Sequence, residues 1–363
     1  IYDLREHDDA RRPLALGALV GVAFLAKYTA ILAVPLAIAY VASSPETRRW
    51  LRRPSFYAAG VVSLAIAAPA VAWNAARGFP SVRLHLVERV AAPSIATYAS
   101  NALHTLVSQL ALFHPLVFPA FAVVGAIAAL RARRDERFRF LAWMALPTLA
   151  FFFVMMVRVR DAEPHWTMVG YVPLAIAMGG LLDEAFDRFS VRAYFGAVLG
   201  TSALALGLYF VHMASPVLLR HVPEGAYDAA ADPVNETLGW GRIRDAIDAE
   251  AAALGPRAVV ASNHNVLCGH LEVALGDSPN VYCASARRTE FDFVGRGVVP
   301  PEAPVVYVET ARYAVDPAIA LAGRRCELAE RVEITRAGRP IQRVRVWGCG
   351  PASVPERERQ ALR

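Results

Sequence analysis

The chain has 363 residues, 56% of them apolar and only 19% charged, and its mean hydropathy is +0.35. Soluble domains carry about 25% charge, so a wholly soluble protein is disfavoured, and the high apolar content without a repeat excludes disorder, collagen and coiled coil. The net charge of +6 does not point to nucleic acid, because the basic residues sit in loops between apolar blocks rather than on one continuous face.

Long apolar blocks run Leu14–Val41, Ser55–Trp73, Pro115–Leu130, Phe140–Val157, Trp166–Leu182 and Ala193–Met213. A spanning helix needs about 20 apolar residues. Four blocks fit one span each, Pro115–Leu130 is short enough to start earlier, within Leu103–Leu112, and Leu14–Val41 exceeds one span. The predicted architecture is an α-helical polytopic membrane domain over 1–213, followed by a small soluble α/β domain over 214–363. The first residue is Ile and no signal peptide precedes the first block, which reads as a fragment lacking its N-terminal part.

Loop charge predicts orientation. Thr47–Pro54 carries Arg48, Arg49, Arg52 and Arg53, and Arg131–Arg139 carries five Arg; both read as cytoplasmic. Alternation then places Asn74–Ala111, Arg158–His165 and everything after Met213 outside. Around the first block, Arg5, Arg11 and Arg12 precede and the Arg cluster follows. Either two short legs meet near Lys27, or one long span has a weak N-terminal charge signal.

The C-terminal part alternates helix and strand signals: helix over Glu236–Leu254, strand Ala258–Ala261, helix Val266–Leu275, strands Asn280–Cys283 and Val305–Val308, a short helix Pro317–Ala322, then strands Cys326–Thr335 and Pro340–Cys349. This is a small α/β pattern. All four cysteines, Cys268, Cys283, Cys326 and Cys349, lie here, which fits disulfides in an oxidising compartment. Free thiols and zinc are the alternatives, although no CxxC pair exists. If the last two strands form a hairpin centred on Ala337-Gly338, Cys326 faces Cys349 and Cys268–Cys283 is the remaining pair.

Lys27 is the single Lys of a chain with 38 Lys plus Arg. A cation inside an apolar block is costly and by default functional; the bland alternative is a lysine snorkelling to the interface. Trp73 and Asn74 close the second block, with Arg77 just beyond, and Trp at such a position is often only an aromatic belt residue. The next stretch, Pro80–Val90, has the pattern of an amphipathic helix lying on the membrane. Asn101, His104, Gln109 and His114 follow, each more often structural than ligating. Arg158-Val159-Arg160-Asp161-Ala162-Glu163-Pro164-His165-Trp166 is the densest outer loop. Outer arginines run against the usual bias, and a phosphate headgroup would explain them; solvated, internally paired charge is the alternative. No Walker loop, GxGxxG after a strand, HExxH or GxSxG is present, and no metal-ligand set or cofactor motif is evident. Asn235-Glu236-Thr237 matches a glycosylation triplet.

Taken in order, Gly17–Pro35 (GALVGVAFLAKYTAILAVP), Pro69–Val82 (PAVAWNAARGFPSV), Ser108–Leu116 (SQLALFHPL) and Glu163–Leu174 (EPHWTMVGYVPL) resemble segments of bacterial membrane glycosyltransferases related to the dolichyl-phosphate-mannose protein mannosyltransferases (family 39, GT-C fold). Leu238-Gly239-Trp240 and Phe291-Asp292-Phe293 resemble segments of the soluble tail of that family. The resemblance implies a hexosyltransferase of the bacterial inner membrane, with a periplasmic C-terminal domain. It would move a sugar from a polyprenyl-phosphate carrier to a glycan, lipid or protein acceptor by inverting displacement, with a carboxylate as general base. The family's catalytic Asp lies in a first outer loop absent here. Asp3, Asp8 and Asp9 read as cytoplasmic and do not replace it, so the chain is expected to be inactive alone. A divalent metal is compatible but unsupported.

By the resemblance, Lys27, Arg158, Arg160 and His165 are candidates for the lipid-phosphate end of the donor, and Tyr28, Trp73, Asn74, Arg77, Gln109, Glu163 and Trp166 for lining the cavity. Rival classes are a transporter or flippase for a lipid-linked sugar, which more often shows paired repeats, and a membrane scaffold or sensor whose soluble domain binds a partner.

Overall fold

The computed structural model describes residues 11–84, 94–159, 162–184, 188–276 and 280–352. The chain divides into two compact units, Ile1–Leu204 and Ala205–Arg363. The first unit is built from α1 (Arg11–Ala26), α2 (Ala33–Ala42), α3 (Pro54–Ala76), α4 (Ile95–Phe113), α5 (Val117–Arg131), α6 (Glu136–Arg158), α7 (Met168–Asp183) and most of α8 (Phe189–Ala214). Its outer faces stay apolar: Leu19, Val61, Leu64, Val123, Ile176 and Leu199 are all exposed, the composition of a surface that meets lipid. Among the described residues, four helical segments are long and apolar enough to cross a membrane, Pro54–Ala76, Glu136–Arg158, Pro164–Asp183 and Phe189–Ala214. The protein is a multi-pass membrane protein.

The first block is two legs. The helix stops at Lys27, whose backbone is extended (φ −155°, ψ 123°), and resumes through a 3-10 turn, Tyr28–Leu32, into α2. Direction follows from packing. A Cβ on Gly17 would fall 2.1 Å from the Ala59 carbonyl oxygen, and one on Gly21 2.8 Å from the Ser63 oxygen and the Ile66 Cβ. Further along, Asn74 donates to the Tyr28 hydroxyl at 3.1 Å. Contacts advance together along both helices, so α1 and α3 run parallel, and the segment between them must return the chain to its starting end. That end is a cluster of Tyr40, Val41 and Trp50 packed with Leu16, Phe56 and Phe140, drawn from the start of α1, the end of α2 and the starts of α3 and α6. Here Tyr40 donates to Glu136 at 3.0 Å and Arg139 to Ser44 at 3.1 Å. Both arginine clusters therefore lie at one end of the bundle.

Pro115–Leu130 differs from a single straight span. α4 and α5 are separate helices meeting at 104°, because His114 adopts a positive φ of 73° and its Nδ1 accepts from the Leu116 amide. Phe113 and Phe121 close on Tyr171 of α7, with centroids at 4.3 and 5.0 Å, and α5, α6 and α7 share the core of Phe121, Val124, Ala145 and Leu174.

The second unit contains a five-stranded sheet of order β2-β1-β3-β5-β4: β1 (Val259–Ser262), β2 (Val281–Cys283), β3 (Val305–Thr310), β4 (Cys326–Arg336) and β5 (Arg339–Cys349). The first three are mutually parallel and the last two antiparallel. Helices α9 (Trp240–Leu254) and α10 (Asn265–Leu275) contribute Ile243, Ile247, Leu267 and Leu271 to the core against Val260, Val306 and Val346. The β4–β5 turn is Ala337-Gly338, both at positive φ, as a two-residue hairpin loop requires. Cys326 pairs with Cys349 in register. One bulge on β4 after Leu328 and a compensating one on β5 near Ile341 cancel, so counting back from the turn gives the right partner. Disulfides join Cys326–Cys349 and Cys268–Cys283.

At the start of this unit, His212 pairs with Asp232 at 2.8 Å, Tyr227 donates to the same carboxylate at 2.7 Å, and Arg336 lies 4.0 Å from it. Burial pushes Asp232 upward, but hydrogen bonds from Tyr227 and His212 outweigh it and hold the carboxyl below its usual range. Asn235, of the glycosylation triplet, is 1% exposed and donates to Tyr227 and to the Ala229 carbonyl, so the folded protein does not offer it for modification.

Candidate functional site

The end of the first unit opposite the arginine clusters collects most of the candidate residues. α3 and α6 have 23 residues each, about 34 Å at 1.5 Å per residue, and both start in the Tyr40–Trp50 cluster. Their far ends carry Asn74 and Arg77, and Arg158. Lys27 is level with Asn74 because Tyr28 bonds to it. The single Lys is thus not in mid-span. It sits exposed at the apex of the two legs, and no ion pair engages its ammonium among the described residues.

The apex is held by small residues on α1. Gly17 and Gly21 form a GxxxG pair that lets the α3 backbone approach where any side chain would collide. The spacing is legible in the sequence. At the top of α3, Asn74 is 7% exposed and also donates to the Ala70 carbonyl at 3.0 Å, while its Oδ1 has no partner among the described residues. Arg77 lies 4.5 Å over the Trp73 ring, one helical turn back. Gly78 (φ 72°) and Phe79 (φ 55°) then turn the chain, with the Phe79 amide returning to the Asn74 carbonyl at 2.7 Å. Phe79 in the left-handed region is strained for a residue with a Cβ, and the strain fixes where α3 ends. Of Pro80–Val90, only Pro80–Leu84 is described, and it begins a helix.

The loop after α6 is positioned by a buried polar node. Gln109 and Thr167 are both 0% exposed. Gln109 donates to the Pro164 carbonyl at 3.1 Å and accepts from Thr167 at 2.7 Å. Asn101 donates to the Val157 carbonyl at 3.0 Å. α4 therefore lies along the loop and braces it. Gln109 uses both its amide nitrogen and its amide oxygen in this brace, a role that its neighbours in sequence did not signal, since Thr167 is 58 residues away. Arg158, Glu163 and His165 are exposed and Trp166 half-buried; Arg158, Glu163 and His165 have no side-chain partner among the described residues. Arg160 and Asp161 lie outside the described residues, as do Asp3, Asp8 and Asp9. His114 is bonded to Thr201 at 3.0 Å and serves the α4–α5 turn. No cluster of three or more metal-ligating side chains exists among the described residues.

Two groups thus occupy one end of the unit: the apex with Lys27, Tyr28, Trp73, Asn74 and Arg77, and the braced loop with Arg158, Glu163, His165 and Trp166. No bond joins Lys27 to the loop among the described residues. Cations beside aromatic rings at a membrane boundary can hold a phosphate.

A family model described as dolichyl-phosphate-mannose-protein mannosyltransferase matches residues 2–73, the stretch that builds α1, the apex, α2 and nearly all of α3. The chain is 26% identical over 172 residues to the lipid A galacturonosyltransferase RgtD of Rhizobium johnstonii, a match covering 47% of this chain and 35% of the relative. The chain thus spans about a third of that relative's length. No solved structure matches it significantly. The matches and the apolar helices support the likeness read from Gly17–Pro35: the chain is similar to GT-C, family 39-like glycosyltransferases.

Proposed function

We propose that this chain forms the carrier-binding part of a glycosyltransferase that moves a sugar from a polyprenyl-phosphate donor to a cell-envelope acceptor at the outer face of a bacterial inner membrane. The observation that carries the reading is the position of Lys27: the single Lys, without an ion-pair partner among the described residues, at an apex built by the residues that the family model matches. Arginines gather at the other end of the bundle, as expected for a cytoplasmic face. This leaves Lys27, Arg158 and His165 on the outer side, where the carrier phosphate departs. Cations there stabilise the charge that develops on the leaving phosphate. Tyr28, Trp73, Asn74 and Arg77 line the apex side, and Glu163 and Trp166 the loop side. The disulfides of the second unit agree with a periplasmic domain. The relative's printed name points to lipid A as one acceptor class. The general base is not assigned to any described residue.

The test is transfer from a polyprenyl-phosphate sugar by membranes containing the complete protein. Lys27→Ala should lower transfer at least about tenfold, the cost of one charge-assisted contact, with membrane insertion unchanged. Wild-type turnover in Lys27→Ala would remove the apex from the site. Uptake or flipping of the lipid-linked sugar without transfer to any acceptor would favour a transporter instead.

A further inference from the structure

The second unit holds a cavity of about 390 Å³. Its location is topologically special. β1 pairs β2 on one side and β3 on the other, all three parallel, so the connections after β1 and β3 diverge at their carboxyl ends. In open α/β sheets ligands bind in that crevice. The cavity is lined there by Thr310, Arg312 and Tyr313, which follow β3, by His270 of α10, which follows β1, and by Trp240 and Glu236.

The lining has a particular chemistry. Trp240 stacks on His270, with centroids at 5.1 Å and planes within 14°, and Tyr313 stacks on His264 at 4.0 Å and 12°. Trp240, His270 and Tyr313 therefore set aromatic groups in the cavity wall, Trp240 and Tyr313 each stacked on a histidine. Arg312 pairs with Glu236, and Arg343 with Glu333 at 3.2 Å, so the nearby cations are already neutralised and an anion gains little. The Thr310 hydroxyl, in the cavity wall at the end of β3, is buried with no partner among the described residues. Buried polar atoms in native proteins are nearly always satisfied, so the Thr310 hydroxyl is available to a ligand's polar group. A ring with an apolar face and a rim of hydroxyls meets all of these conditions at once. The volume lies in the range of small-molecule sites.

Trp240 is presented by an exacting backbone. Gly239 has φ +81°, and a Cβ there would lie 2.6 Å from Ile334. Only glycine permits the turn that starts α9 with the indole facing the cavity.

We propose that this cavity is a saccharide-binding site taking a neutral hexose ring, stacked on Trp240 and hydrogen-bonded by Thr310 and the Glu236–Arg312 pair. That the sugar belongs to the acceptor glycan rests on the transferase reading; the ring chemistry does not.

The experiment is saturation-transfer-difference NMR on the full chain in lipid nanodiscs, with methyl galactoside, methyl glucoside and methyl mannoside as probes and inorganic phosphate as competitor. At least one glycoside should show transfer to its ring protons, unaffected by phosphate. Trp240→Ala should weaken it about tenfold. Because Trp240 also packs on the core, Thr310→Val provides a near-isosteric second variant and should weaken binding several-fold with unchanged melting. No signal from any glycoside, signals equal in wild type and both variants, or displacement by phosphate overturns the proposal. Lys27→Ala separates the two readings. Glycoside binding that persists where no version of the protein transfers sugar keeps this site and sinks the transferase; transfer without glycoside binding does the reverse.

Discussion

Gly17→Ala adds one methyl group where the packing of α1 on α3 has no room. The new Cβ would sit 2.1 Å from the Ala59 carbonyl oxygen and within 2.8 Å of the Ala59 Cα. Carbon–oxygen contacts settle at about 3.3 Å or more, so the helices must part by about 1 Å at that level. Overpacking of this kind costs about 1–3 kcal/mol. The atoms that collide are backbone, so no side-chain rotation relieves the clash. Gly60→Ala, one residue along α3 from the contact, meets nothing within 4 Å. It should be neutral or stabilising by up to about 1 kcal/mol, the helix propensity gained on replacing Gly. The pair makes the same chemical change with opposite expected signs. Thermal unfolding in detergent, read by circular dichroism, should therefore lower the melting point for Gly17→Ala and hold or raise it for Gly60→Ala. The displacement also moves the Lys27 apex away from Asn74, so transfer by the complete protein should fall in Gly17→Ala alone. Equal melting points for the two variants would refute the close-packed α1–α3 interface and the parallel arrangement derived from it.

Gln109→Leu should destabilise the first unit by about 1–3 kcal/mol, because it strands the buried Pro164 carbonyl and Thr167 hydroxyl; tryptic cleavage after Arg158 should accelerate, and an unchanged cleavage rate would remove the brace. Replacing Cys326 and Cys349 with Ala opens a link across 23 residues, worth about 3.4 kcal/mol in the chain-entropy account, and urea unfolding of the second unit should shift accordingly. Acid should weaken the second unit in two windows. His264 is pulled below 6.5, first by burial and then by the Arg312 charge, so the unfolded chain takes up the proton first and stability falls as pH drops below about 6.5. Asp232, held below 3.8, adds stability above that value which is lost as pH falls through its folded pKa. A melting point that is flat from pH 7 to 3 would contradict both.

The spans were legible in the sequence because a bilayer demands about 20 apolar residues and internal satisfaction of the backbone, constraints that composition exposes directly. Ser55–Trp73 and Phe140–Val157 became Pro54–Ala76 and Glu136–Arg158, differing only by turns that Pro54 and the Asp135 cap define. The hairpin at Ala337-Gly338 and its cysteine pairing were equally legible, since a two-residue turn sets register by counting. Other features depend on residues far apart in the chain. Whether Leu14–Val41 was one span or two legs turned on Gly17 and Gly21 meeting Ala59 and Ser63, which no local pattern records. The bend at His114 rests on its positive φ and on Thr201, and the loop brace on Gln109 finding Thr167. Likewise the cavity beside Trp240 exists because the connections after β1 and β3 part at the strand ends. Local periodicity thus determined the elements, whereas close approach between distant segments, which only three-dimensional packing creates, decided where Lys27, Gln109 and Trp240 stand.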